Sequence, residues 1–271
     1  MAGRITVLAL LCALVGGCEC GSQGASKDAP PGSELPDGFD QAMQDHATLA
    51  LTARDALIQG NLPRARQAMR KLAFFMEHVP YPEGGKDFAH TTKALAEEVR
   101  SDGDLEEACM AFARLSYTCG QCHQALDRGP PMQLEPPPAG TDVAMHMRRH
   151  YWAVERMWEA LLANSPRMFQ RAARVLSEAP LQGEQIPDSE APAGATRLGF
   201  EVHDLAFAAA VEGSNAADDY VPDPGERRAM RPTTRGQAEI FGQLLYTCSQ
   251  CHQLTGFTPT LPPNRRSEDP R

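Results

Sequence analysis

Aromatic residues are scarce in this chain, at 6 % of 271 residues, with two tryptophans and five tyrosines. A core built without them must come mainly from Ala, Leu and Met, unless a bound planar group supplies the missing apolar surface. Long apolar runs are lacking as well. The run from Ile5 to Val15 stops after eleven residues, whereas a helix needs about 20 to cross a bilayer. No segment carries the period-two alternation of a strand, which argues against a sheet. Cations are in deficit: 26 Lys and Arg stand against 35 Asp and Glu, a formal charge of −9. That sign disfavours nucleic-acid binding, which depends on neutralising phosphates. It favours docking to a basic patch on a partner protein, at a rate that falls with salt.

Cysteine is the residue that is present in pattern. Of eight cysteines, four fall in two copies of one motif, Cys119-Gly120-Gln121-Cys122-His123 and Cys248-Ser249-Gln250-Cys251-His252. The flanks match too: Tyr117-Thr118 and Tyr246-Thr247 precede the copies, and Gln124 and Gln253 follow them. Cys-x-x-Cys-His is the attachment signature of c-type haem. Its two thiols bond the haem vinyl groups, and its His ligates the iron. Two covalently attached haems are therefore expected, on Cys119 and Cys122 and on Cys248 and Cys251, with His123 and His252 as proximal iron ligands. A thioredoxin-like pair would instead open a helix after a strand. A zinc site made from the four cysteines would give the two histidines no role.

The surrounding pattern is helical. Leu105, Ala108, Cys109, Phe112, Leu115, Cys119 and Cys122 recur at spacings of three and four, one face of an α-helix. Cys119, Cys122 and His123 lie at i, i+3 and i+4 and continue that face. Cys109 sits on the same stripe and reads as a small buried residue. Helices are expected near 40–59, 63–78, 87–101 and 104–126, and again near 142–163, 166–178, 195–211 and 235–254. Met43-x-x-His46 recurs 104 positions later as Met147-x-x-His150, and Ala56-Leu57-Ile58 as Ala160-Leu161-Leu162. The motifs themselves are 129 apart. The extra residues of the second copy are expected in the stretches 178–195 and 212–234.

These readings give an all-α chain of two tandem four-helix-bundle units. Residues 1–17 read as a signal peptide and 18–37 as a flexible tether. Residues 38–128 form haem-binding unit 1, 129–139 a Pro-rich linker, 140–256 haem-binding unit 2, and 257–271 a disordered tail. The run after Arg4 fits the apolar region of an export signal. Val15-Gly16-Gly17-Cys18 resembles a bacterial lipobox, which makes Cys18 the candidate for lipidation and membrane anchoring. Covalent haem attachment in bacteria takes place outside the inner membrane, so a periplasmic location is expected.

A helical bundle with Cys-x-x-Cys-His near the end of its fourth helix resembles the class II c-type cytochromes, the cytochrome c prime-like proteins. The resemblance covers roughly 38–128 and 140–256. It implies that the first helix of each unit supplies the residue on the far side of the haem. The chain offers His46 and His150 there as favoured distal ligands, and Met43 and Met147 as alternatives. His78, His90, His146 and His203 read as surface or core residues, with His90 and His203 in reserve. The expected function is single-electron transfer with redox partner proteins, not enzymatic catalysis. The alternatives are a peroxidase-like haem enzyme and a gas-binding or sensing protein with an open distal site.

Overall fold

The computed structural model describes residues 37–130, 135–177, 194–218 and 235–256, with the side chains of 213–218 left aside. The signal segment, Cys18 and the tail beyond 256 lie outside the described residues. All regular structure among the described residues is helical: α1 (Phe39–Ile58), α2 (Leu62–His78), α3 (Lys86–Arg100), α4 (Leu105–Ala125), α5 (Val143–Leu162), α6 (Pro166–Ser177), α7 (Ala195–Asp218) and α8 (Arg235–Thr255). One 3-10 turn, Glu83–Gly85, precedes α3. None of these helices is long and apolar enough to cross a membrane.

Local chemistry sets the ends. The Asn61 side chain accepts the Arg64 amide at the start of α2, with Pro63 in the first turn. Asp104 and Glu107 close a reciprocal capping box on α4, satisfying two otherwise orphaned amides. Asp142 caps α5 by accepting from the Met145 amide. α1 and α5 stop in the same way. Gly60 (φ 67°) and Asn164 (φ 46°) adopt the left-handed conformation, which Gly and Asn tolerate best. The Asn61 amide then donates to the Ala56 carbonyl and that of Gly60 to Leu57; Ser165 and Asn164 repeat this on Ala160 and Leu161. This is the Schellman closure. It consumes two of the last carbonyls of each helix and leaves those of Ile58 and Leu162 for other donors.

Chain neighbours pack in sequence, α1 on α2, α2 on α3 and α3 on α4, and likewise from α5 to α8; α4 also lies along α8. The core is one continuous cluster in which Ala is the commonest member, joined by Leu57, Leu72, Phe112, Trp158, Phe169 and Phe241. Small residues let α4 and α8 approach closely. A Cβ on Gly242 of α8 would come within 2.6 Å of the Met110 sulfur and 3.2 Å of the Ala113 methyl. Cys109 is fully buried in this core, and burial holds its thiol well above the usual range.

A charged group also sits inside. Arg54 is 1 % exposed. Its guanidinium donates to Asp55 Oδ1 at 2.7 Å and to the Tyr151 hydroxyl at 3.0 Å, and stacks 4.9 Å from the Trp158 ring. The Trp158 indole in turn donates to Ser116 Oγ at 3.0 Å. These contacts tie α1, α4 and α5 together with directional bonds, not only apolar area.

α7 differs from expectation at its C-terminal end. It runs on to Asp218, seven residues past the expected stop at 211. The segment Glu212–Asp218 has no Pro, and its lone Gly213 is tolerated in a helix at a cost of about 1 kcal/mol.

Candidate functional site

The C-terminal end of α4 brings three of the expected residues to one place. Cys119 is buried and Cys122 and His123 are half-buried. A cavity of about 320 Å³ opens beside them, lined also by Met43 and His46 from α1 and by Tyr81. α1 thus presents both of its candidate ligands to the cavity that holds the first motif. His46 Nε2 lies 3.8 Å from Cys119 Sγ, while His46 Nδ1 is buried without a hydrogen-bond partner. Phe75 meets the His46 ring edge-on at 6.4 Å. All five described cysteines are free thiols. Burial pushes Cys119 and Cys248 up to about 12 and Cys122 up to about 11, so these sulfurs stay protonated and do not repel one another as thiolates.

The two motif histidines are held across the molecule. His123 Nδ1 lies 3.0 Å from the carbonyl oxygen of Leu162, the last residue of α5. His252 Nδ1 lies 2.7 Å from the carbonyl oxygen of Ile58, the last residue of α1. A carbonyl only accepts, so Nδ1 carries the proton in each ring and Nε2 keeps its lone pair. These carbonyls are the ones the Schellman closures leave over. The next residues repeat the exchange: Gln253 donates to the Gly60 carbonyl at 2.9 Å, and Asn164 donates to the Gln124 side chain. Each motif is therefore docked on the helix end of the opposite half of the chain.

The second motif has different company. Cys248, Cys251 and His252 are half-buried at the end of α8. His146 and His150 of α5 and His203 of α7 form a cluster whose ligating nitrogens all lie within 4.8 Å of one another. His252 is close enough to help depress His150. Met147 is half-buried on α5. The grouping of His146 and His203 with His150 escaped the sequence reading, although His146 and His150 at i, i+4 are a helical ligand spacing. His78 and His90 are exposed, His78 stacking on Phe74.

Burial keeps these imidazoles neutral. His46 is pushed down to about 4, by burial first and then by His123. His146 is also lowered to about 4, by burial, then His203 and Arg149. His150 is held well below its ordinary value, mainly by burial. An unfolded chain takes up protons at His46 and His146 as pH falls through their ordinary 6.5, and the folded chain does so only near 4. The unfolded state binds more protons in that window, so stability falls with falling pH. For the polypeptide without haem, the urea midpoint is expected to be lower at about pH 5 than at about pH 7. An unchanged midpoint would mean that the rings are open to water.

No family model, no curated protein and no solved structure matches this chain.

Proposed function

We propose that this chain is an exported dihaem c-type cytochrome that transfers single electrons, built as two tandem four-helix units of the class II, cytochrome c prime-like kind. The observation that carries the reading is the reciprocal docking of two Cys-x-x-Cys-His motifs, each with its His Nδ1 proton on a carbonyl, the tautomer that puts the ring's lone pair on Nε2. The donor set fits the group. At the first site two free thiols, a fixed imidazole, and a half-buried His from α1 line one apolar cavity. A haem bound there supplies an iron centre that carries one electron between its ferric and ferrous states.

The chain's own residues do the rest. Cys119 and Cys122 tether the first haem, and Cys248 and Cys251 the second. His123 and His252 ligate, and the Leu162 and Ile58 carbonyls hold their rings and raise their basicity. His46 is the favoured sixth ligand of the first half, with Met43 one turn away; His150 and Met147 hold the same positions in the second. Phe39, Tyr81, Phe88 and Trp158 line the first cavity and exclude water from it. The acidic surface suits redox partners with a basic docking patch. Export to the periplasm and anchoring through a lipid on Cys18 complete the proposal.

A spectrum of protein matured with a haem-attachment system tests it. Low-spin ferric haem is expected at the first site. His46→Ala is expected to convert one haem of the two to high spin, while Met43→Ala leaves both unchanged. A low-spin wild type that neither substitution alters would remove α1 as the source of the ligand. Two high-spin haems in the wild type would favour the gas-binding or peroxidase-like alternatives instead.

A further inference from the structure

We propose that His146, His150 and His203, beside the second cysteine motif, form a binding site for a divalent transition-metal ion that uses none of the motif's own residues. Three imidazole nitrogens within 4.8 Å of one another are spaced to converge on a single ion. Three histidines with a fourth position open is a familiar zinc donor set, and imidazole also suits copper, nickel and iron.

Two further observations point to a ligand. His150 Nε2 and His203 Nδ1 are buried and have no hydrogen-bond partner, and one ion would satisfy both. His203 also bonds the backbone carbonyl of Leu176. Metal-ligating histidines are commonly oriented in this way, through the ring nitrogen that does not bind the metal. The cluster joins α5 to α7, with the Leu176 carbonyl contributed by α6, so three helices position it. The charged neighbours are few. Arg149 influences His146 and His150, but its guanidinium is engaged by the carbonyls of Pro138 and Gly140. Asp204 lies beside His203 and favours positive charge there.

The first half has no such cluster among its described residues. The position equivalent to His146 is Ala42, and the first cavity receives Phe88 and Thr92 from α3. Among the described residues the cluster thus belongs to the second half alone. His150 cannot serve this ion and a haem iron together, so an ion bound here makes Met147, the alternative to the favoured His150, the sixth ligand of the second haem.

The test uses the full chain matured with its haems, stripped with a chelator and dialysed against Zn2+. Metal analysis is expected to give one zinc per chain beyond the haem iron. His203→Ala and His146→Ala are expected to weaken zinc binding at least tenfold, with helicity and covalent haem content unchanged; exposed His90→Ala is the control. No zinc beyond an adventitious trace overturns the proposal, as does equal retention by His203→Ala. So does His150→Ala if it turns the second haem high-spin, since that nitrogen then belongs to the iron. Haem content, read from intact mass, is scored separately, so failure here is distinct from failure of the cytochrome reading.

Discussion

A chain with Cys119→Ser and Cys122→Ser, matured in the periplasm beside a haem-attachment system, is expected to carry one covalent haem where the parent carries two. The intact mass should fall by one haem beyond the small change from sulfur to oxygen, and haem staining of the denatured chain should halve. The reason is chemical. Thioether formation requires sulfur, and a serine hydroxyl does not replace it. Cys119 is also part of the core, where a new hydroxyl without a partner costs about 1–3 kcal/mol. The Ala double variant separates the two effects, because it loses the tether without burying a hydroxyl. Cys109 supplies the contrast. It is fully buried on the same helix face but lies outside the motif, so Cys109→Ala should keep both haems. Two haems retained by the Cys119/Cys122 variants, or none found on the parent chain, would end the proposal.

The helices were legible in the sequence because their signals are local. Three- and four-residue spacing marked the buried stripe of α4 from Leu105 to Cys122, and the capping box of Asp104 and Glu107 that starts it is equally local chemistry. The corners after α1 and α5 are likewise closed by adjacent residues, Gly60 with Asn61 and Asn164 with Ser165. The first candidate site was also legible, since α1 does bring Met43 and His46 to the cavity of the first motif. The crossing of the motifs was not. A hydrogen bond from His252 to Ile58, or from His123 to Leu162, joins residues whose separation in sequence carries no periodicity. The histidine cluster was hidden likewise, because His203 comes from a helix whose rotation about its axis depends on packing against α6. The end of α7 shows the converse limit: a segment without Pro continued its helix where composition suggested a loop.

One consequence of the crossing is that each half orients the motif histidine of the other. The carbonyl that orients His123 ends α5, and the one that orients His252 ends α1. Both helix ends are also fixed by the stack of Arg54 on Trp158. Arg54 and Trp158 hold equivalent positions in the sequence repeat, 104 residues apart. Equivalent residues of two copies meet where a two-fold axis passes between the copies. Under the tandem-unit proposal, the Arg54–Trp158 contact marks that axis, and the two haem sites lie to either side of it. A change at one helix end therefore reaches the motif histidine of the other half.

Gly120→Ala should expose that dependence. Ala is favoured over Gly inside a helix by about 1 kcal/mol, so on local grounds the substitution in α4 should stabilise. The crossing makes the opposite prediction. A Cβ at Gly120 would stand 2.0 Å from the Leu161 carbonyl oxygen and 3.1 Å from its carbon. Both are backbone atoms of α5, so no side-chain rotation relieves the clash. The end of α4 must lift from the end of α5, which stretches the bond from His123 to Leu162 and the one between Asn164 and Gln124. Overpacking of this kind costs about 1–3 kcal/mol, enough to reverse the sign of the propensity gain. The thermal midpoint should fall, and the absorption of one haem should shift as its proximal ring reorients. Ser249 is the matching position of the second motif and already carries a side chain, fully buried, with its hydroxyl on the Tyr246 carbonyl at 2.6 Å. Ser249→Ala should then cost only the loss of one ordinary hydrogen bond, about 1 kcal/mol. A rise in the melting temperature of Gly120→Ala, with both haem spectra untouched, would mean that α4 does not rest on α5 in solution.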